Sequence, residues 1–390
     1  MKFLRNIIDK MKPAFERGGR FGFLHSTFEA FESFIFVPDT TSKSGVHIHD
    51  SNDLKRTMTT VIIALLPALL FGMWNIGYQR HLVFGEAMTG WEMFVFGFLK
   101  TLPMLVVSYV VGLGIEFTAA QIRKHEVNEG FLVTGMLIPM IMPVDCPLWM
   151  IGIATAFAVI IGKEVFGGTG MNIFNPALLA RAFIFFAYPS HMSGGTVWVA
   201  GMKDMPSIDA VTGATPLAHA AAGEMEKLPS AYDMFFGFIP GAVGETSTLA
   251  IVIGALILVY TGVASWKIML SCVGGALATG FALNIIGANP YMNLSPFYHL
   301  LMGGFAFGAV FMATDPVTGA QTATGKWIYG FLIGMFTVLI RVFNQGYPEG
   351  MMLAILFMNA FAPLIDHYVV AANIRKRMKR GLRAKAGNII

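Results

Sequence analysis

Ten apolar stretches, separated by polar connections, follow one another along the chain from residue 58 to residue 368. A helix needs about 20 residues to cross the ~30 Å hydrocarbon layer of a bilayer, and most of these stretches approach that length. They predict an all-α polytopic membrane protein with about ten transmembrane helices. Their approximate bounds are 58–77, 94–117, 131–144, 147–166, 174–188, 246–264, 266–286, 297–313, 326–343 and 350–368.

The composition excludes several other classes of protein. The 390 residues are 55% hydrophobic and only 13% charged, whereas a soluble domain is usually about 25% charged. A cytosolic enzyme, a nucleic-acid binder and a disordered chain are therefore excluded. Cys146 and Cys272 lie in apolar surroundings without a CxxC or Cys/His spacing, so we predict no disulfide framework and no iron–sulfur or zinc site.

The distribution of charge predicts the orientation in the membrane. Residues 1–57 carry nine basic and seven acidic side chains, and the tail 369–390 carries seven basic side chains and no acid. The connection 189–245 carries two basic and six acidic side chains. Because basic connections stay in the cytoplasm, we expect both termini inside and 189–245 as an outer loop. This loop separates a five-helix half at 58–188 from a second half at 246–368.

An odd number of helices in each half inverts the second half relative to the first. Two glycine-rich segments support such a repeat, because GGTGMNIFNPA (167–177) parallels GGFAFGAVFMATDP (303–316), and EGFLVTGMLIPM (129–140) resembles ETSTLAIVIGAL (245–256). Paired short segments interrupted by Gly and Pro indicate broken helices around a central site. On this pattern alone, the chain is a transporter or a channel.

The outer loop contains the pattern Asp-x-x-Thr-Gly-Ala-Thr, formed by Asp209, Thr212, Gly213, Ala214 and Thr215. By spacing alone it is a polar turn. The pattern is also the acceptor motif of proteins that carry FMN as a phosphoester on the last threonine.

Further blocks extend this similarity along the chain: RKHEVNEGF (123–131), KEVFGGTGMNIFNPALLARAF (163–183), PGAVGETSTLA (240–250), GGFAFGAVFMATDPV (303–317) and YPEGMMLAILF (347–357). With the acceptor motif, they resemble the B subunits of sodium-translocating NADH:quinone oxidoreductases and, more distantly, the D subunits of Rnf ferredoxin–NAD complexes. The long N-terminus and the basic tail favour the B subunits.

The resemblance implies a flavin-carrying subunit of a six-subunit complex in the bacterial inner membrane. Electrons would come from an NADH-oxidising flavin and iron–sulfur subunit, and another subunit would carry a second covalent FMN. A flavin transferase would attach FMN to Thr215. Electrons would leave through riboflavin to ubiquinone, coupled to outward movement of Na⁺.

The resemblance also implies that Asn172 and Asn175 bind a non-covalent riboflavin. From the residues alone, two amides three positions apart either grip a polar heterocycle or cap the backbone at a helix break. No GK(S/T) follows the glycines, so a phosphate-binding loop is excluded.

Acidic residues inside apolar stretches are costly and therefore functional candidates. They include Glu116, Asp315 and Asp366. The alternative is a position at the interface or an ion pair, such as Glu164 with Arg181. Carboxylate oxygens suit hard cations, and the resemblance implies that Glu116 and Asp366 take part in sodium uptake.

Gly112, Leu113, Phe183 and Phe185 match the positions where the family places ubiquinone. Aromatic runs in membrane helices otherwise face lipid. The chain has Leu113 where the family pattern has a second glycine.

Two other functions fit some of these sequence features. The D subunit of an Rnf-type complex would belong to an assembly that reduces ferredoxin and lacks quinone reductase activity. A small-solute permease with inverted repeats would contain no flavin and would transport solute in liposomes.

Overall fold

The computed structural model describes residues 2–15, 53–123, 130–202, 213–344, 346 and 349–387, with residues 19, 21, 22, 25, 28, 32, 36 and 44–46. Regular structure in this part of the chain is helical, which confirms the all-α prediction. The helices are α1 (Lys2–Phe15), α2 (Leu54–Phe84), α3 (Gly90–Arg123), α4 (Phe131–Ile141), α5 (Leu148–Ile160), α6 (Pro176–Ala187), α7 (Pro216–Ala221), α8 (Ala231–Phe236), α9 (Thr248–Tyr260), α10 (Trp266–Ile286), α11 (Tyr298–Leu301), α12 (Phe305–Phe307), α13 (Ala323–Phe343) and α14 (Met351–Gly387).

Six helical segments in the described chain are long and apolar enough to cross a membrane. They are α2, α3, α10, α13, α14 and α5 with its continuation to Phe166, whereas α4, α6 and α9 are shorter apolar helices. The polytopic membrane fold is therefore confirmed. The inverted relation between the two halves stays a prediction.

The predicted span 297–313 is not one helix. It consists of α11, a turn at Gly303 with a φ of +58°, and α12, which continues as a π-helical turn over Gly308–Met312. A left-handed φ favours glycine, and a Cβ at Gly303 would lie 2.3 Å from Leu217 Cδ1. Hydropathy records only that these residues are apolar, so it misses the break.

Arg341 donates hydrogen bonds to backbone carbonyl groups at this break. Its guanidinium donates to the carbonyl oxygens of His299 at 2.5 Å, Met302 at 2.8 Å and Glu349 at 3.2 Å. The side chain is 0% exposed. Because lipid offers no hydrogen bonds to an opened helix, this arginine is the internal partner that the broken segment requires.

Small residues bring α10 and α13 into close contact. A Cβ on Gly275 would lie 2.1 Å from the carbonyl oxygen of Phe331, and one on Gly334 would lie 2.0 Å from that of Cys272. Transmembrane helices associate mainly by close packing of such small residues. This seam holds together the helices that flank the broken segment.

Two charged residues within the long apolar helices are paired. Arg80 forms a salt bridge of 2.9 Å with Glu86. Lys100 lies 3.5 Å from Asp145. The basic tail continues α14 as a helix as far as Gly387.

We expect Gly275→Ala to destabilise the protein, because the added methyl group would meet backbone that cannot rotate away. Overpacking of this kind typically costs about 1–3 kcal/mol. Gly274→Ala is the matched control, since a Cβ at Gly274 meets no atom within 4 Å. Thermal unfolding in detergent should show a lower Tm for Gly275→Ala only, and equal Tm values would contradict the tight seam.

Candidate functional site

A glycine-rich turn leads into α6 and fixes the position of its asparagines. Gly167, Gly168 and Gly170 have φ values of +120°, +98° and +90°, which L side chains rarely adopt. Asn175 then caps α6, since its Oδ1 accepts from the backbone nitrogens of Ala177 at 3.0 Å and Leu178 at 3.2 Å. The capping interpretation is therefore confirmed for Asn175.

Asn175 also reaches the broken segment of the second half. Its Nδ2 donates to Asp315 Oδ2 at 3.3 Å. Asp315 further accepts from the Val317 backbone nitrogen and the Thr318 hydroxyl, each at 3.0 Å. The two interrupted segments recognised in the sequence thus meet through their polar residues.

A cavity of about 110 Å³ opens beside this contact. Its volume is below the ~300–1,000 Å³ that is usual for ligand pockets, whereas its lining, apolar with a few polar groups, is typical of them. The lining side chains that carry charge are Lys163 and Asp315. The other polar lining residues are Thr57, Thr134, Thr169, Asn172, Asn175 and Thr314.

Asn172 is buried in the cavity wall, and its Nδ2 donates to the carbonyl oxygen of Phe174 at 3.1 Å. Unlike Asn175, it does not cap α6. Both amides therefore line the same cavity, but only that of Asn175 caps the helix.

Glu116 forms a buried ion pair with Lys163, whose ammonium donates to the carboxylate. Glu116 is 5% exposed and Lys163 is 4% exposed. The pair joins α3 to the turn that precedes the glycines. Any cation that uses the Glu116 carboxylate must share it with this ammonium.

The expected pair of Glu164 with Arg181 is wrong. Glu164 lies 3.0 Å from Arg123, whereas Arg181 lies 2.6 Å from Glu245 and also contacts Glu349. Arg181 lies within α6, whereas Glu164 precedes the glycine-rich turn. The two residues lie on either side of the Asn-Pro segment in the sequence. Their short separation along the chain suggested a pair, but each has its own partner in the structure.

Asp366, on α14, holds the start of α13. Its carboxylate accepts from the backbone nitrogens of Gln321 at 2.7 Å and Thr322 at 3.0 Å, and from the Thr322 hydroxyl at 2.6 Å. The residue is half-buried. Asp366 and Asp315 thus lie at opposite ends of one short connection, 315–322, between the π-helical turn and α13.

The residues expected at the quinone site pack against different neighbours. Gly112 lies against the Phe131 ring, where a Cβ would come within 1.8 Å of Cζ. Phe183 stacks on Phe157 with ring centroids 4.3 Å apart, and Phe185 lies edge-on to Phe186 at 5.5 Å. Leu113 is half-buried beside Gly112 on α3.

In the connection 189–245, Thr215 is the N-cap of α7. Its hydroxyl accepts from the Ala218 backbone nitrogen at 3.3 Å, and its side chain is half-buried. Gly213 is buried, and a Cβ there would lie 2.7 Å from the carbonyl oxygen of Gly195. Ala214 is half-buried between them, and Asp209 and Thr212 lie outside the described residues.

Sequence reasoning missed the partners of the buried charges. Lys163 lies near the end of an apolar stretch, where a lysine is ordinary, yet in the structure it pairs with Glu116 at the cavity. Glu245, Glu349 and Arg341 also lie at the ends of apolar stretches. An acidic and a basic residue at the ends of apolar stretches, even in different halves of the chain, therefore indicate a possible ion pair.

These features define a polytopic membrane protein in which two interrupted segments enclose a cavity lined by amides and a few charges. The family model described as the NQR2, RnfD, RnfE family matches residues 41–375, and the chain belongs to this family.

Curated relatives match over nearly the full length. A protein of Ectopseudomonas mendocina is 46% identical over 97% of this chain and 100% of its own. One of Chromohalobacter salexigens is 47% identical over 97% of this chain and 96% of its own. One of Azotobacter vinelandii is 45% identical over 97% of this chain and 100% of its own. All three are named as the B subunit of a Na(+)-translocating NADH-quinone reductase.

Proposed function

We propose that this chain is the flavin-carrying membrane B subunit of a sodium-translocating NADH:quinone oxidoreductase. The cavity between the two interrupted segments carries the proposal, because it offers a mainly apolar site with amide groups in its wall. The relatives named above support the activity. The D subunit of an Rnf-type complex is the alternative, to be distinguished by ferredoxin reduction without quinone reduction.

The proposal includes the location and the partners. The chain would lie in the bacterial inner membrane with both termini in the cytoplasm. It would work in a six-subunit complex with the NADH-oxidising flavin and iron–sulfur subunit and a second FMN-carrying subunit. The absence of cysteine ligand spacing in this sequence supports the assignment of the iron–sulfur chemistry to a partner.

Thr215 would hold FMN through a phosphoester, formed by a flavin transferase. The half-buried hydroxyl at the start of α7 fits that role, because it is held in place and still partly accessible. Leu217, two residues later, packs against Gly303, so the attachment point is tied to the membrane helices.

Asn172 and Asn175 would hold riboflavin in the cavity. A flavin accepts electrons singly or in pairs and passes them on. The amide of Asn172 would orient the polar edge of its heterocycle, and the apolar wall would exclude water. Asn175 would act mainly by keeping α6 and Asp315 in place, since its amide is already used by the protein.

Gly112, Leu113, Phe183 and Phe185 would form the ubiquinone site. The aromatic rings of Phe183 and Phe185 suit a planar apolar headgroup, whereas Gly112 is already packed against the Phe131 ring. The bulk of Leu113 would narrow the entrance.

Glu116 and Asp366 would take part in sodium uptake, with Asp315 as a further candidate. Each is a carboxylate that the chain keeps among apolar helices, and hard cations prefer such oxygen ligands. Of the three, Asp366 is the least buried, which favours it as the first contact for an incoming ion.

Thr215→Val should abolish the covalent FMN while the subunit still inserts and assembles. Valine keeps the shape of threonine and removes the oxygen that a phosphoester requires. In-gel flavin fluorescence of the separated subunit measures the loss, and Thr212→Val is the matched control that should keep it. Fluorescence that persists in Thr215→Val and disappears in Thr212→Val would make the acceptor assignment wrong.

Asn172→Leu should lower the non-covalent riboflavin content and slow quinone reduction. A lost hydrogen bond in a water-poor site costs about 1–3 kcal/mol, and about 1.4 kcal/mol corresponds to a tenfold loss of affinity. Riboflavin extracted from the washed complex measures occupancy. Ile173→Leu, at an exposed position of the same turn, controls for damage to the turn, and full occupancy in Asn172→Leu would reject the riboflavin role.

Glu116→Gln and Asp366→Asn should raise the Na⁺ concentration needed for half-maximal quinone reduction, while the content of both flavins stays normal. Each change removes a negative charge and retains an oxygen acceptor for the neighbouring donors. The rate of quinone reduction is measured against Na⁺ concentration. An unchanged Na⁺ dependence in both variants would end the sodium proposal.

A further inference from the structure

Two ion pairs connect α3 to the same short turn, yet only one of them reaches the cavity. Glu116 and Arg123 lie seven residues apart on α3, and Lys163 and Glu164 are adjacent in the turn. Arg123 lies 3.0 Å from Glu164 and also donates to its carbonyl oxygen at 2.7 Å. Lys163 contacts Glu116 and lines the cavity, whereas Glu116, Arg123 and Glu164 do not line it.

The pair of Arg123 with Glu164 also attaches the turn to α3. A second pair that is almost fully buried adds a large desolvation cost, and an apolar replacement of such a pair is often as stable. Ionisable groups at membrane depth therefore require a functional reason. Position supplies one, because Lys163 lines the cavity and Glu116 does not.

The lysine is also fixed by its backbone. Its carbonyl oxygen accepts from the nitrogens of Phe166 at 3.2 Å and Gly168 at 3.1 Å. This holds Lys163 at the base of the glycine-rich turn that carries Asn172. Lys163 and Asn172 therefore line the cavity from one hydrogen-bonded stretch of backbone.

We infer that Lys163 tunes the reduction potential of the heterocycle held in this cavity, an inference that rests on the proposed riboflavin site. A heterocycle that gained one electron there, supplied by the NADH-driven chain and without a proton, would add one negative charge to the cavity. A fixed ammonium in the wall would stabilise that charge, and a low-dielectric environment strengthens the effect. The ion pair with Glu116 keeps Lys163 in place.

The test compares two neutral double variants in the purified complex. Glu116→Gln with Lys163→Gln removes the pair that reaches the cavity, and Arg123→Gln with Glu164→Gln removes its matched neighbour. Each change leaves the net charge of the protein unaltered and leaves no charged partner behind. Lys163→Arg retains the positive charge as a third variant.

Spectroelectrochemical titration measures the potential of the non-covalent flavin in each complex. We expect the Glu116/Lys163 double variant to show a potential lower by at least ~59 mV, a tenfold change in a one-electron equilibrium. The Arg123/Glu164 double variant and Lys163→Arg should stay close to wild type. Where riboflavin washes out, its Kd is measured in the oxidised and reduced states, and the ratio of the two should change by the same factor.

A wild-type potential in the Glu116/Lys163 double variant, with normal riboflavin content, would overturn the inference and leave the riboflavin site intact. An equal fall in both double variants would also overturn it, because the effect would then come from the turn and not from Lys163. Failure of the riboflavin site itself is recognised separately, by full occupancy in Asn172→Leu.

Discussion

The contact between Asn175 and Asp315 joins the two places where the apolar helices of this chain are interrupted. Interrupted helices expose backbone groups that lipid cannot satisfy, so each needs an internal partner. Asn175 supplies one by capping α6 with its oxygen while its nitrogen reaches Asp315. Asp315 in turn accepts from the backbone and hydroxyl that follow it. The cavity exists because these two breaks lie side by side.

The same constraint explains the buried charges. Arg341 satisfies the carbonyl groups at the break before α12, and Arg181 is neutralised by Glu245 and Glu349. Glu349 contacts both arginines: its carboxylate pairs with Arg181, and its carbonyl oxygen accepts a hydrogen bond from Arg341. Charges near the ends of several apolar stretches thus hold the helices around the breaks. The pair of Glu116 with Lys163 differs, since it adjoins the cavity.

The sequence was sufficient to predict the helical membrane fold, because apolar length and charge asymmetry are local properties. It also predicted which two segments would be interrupted, from their shared Gly and Pro pattern. It failed where the outcome depends on packing between distant residues. Leu217 packs against Gly303 from a distant part of the chain, and the partner of Arg181 lies 64 residues away at Glu245. Neither contact leaves a periodic signal.

The broken segment connects the two proposed flavin sites. At Gly303 it packs against Leu217, two residues beyond Thr215, and at Asp315 it reaches Asn175 in the cavity wall. Twelve residues separate these ends, a rise of roughly 18 Å if they were fully helical. One short, buried segment therefore lies between α7 and the acid that Asn175 contacts. The turn at Gly303 allows the close approach of α7 to this segment, because a Cβ at this position would lie 2.3 Å from Leu217 Cδ1.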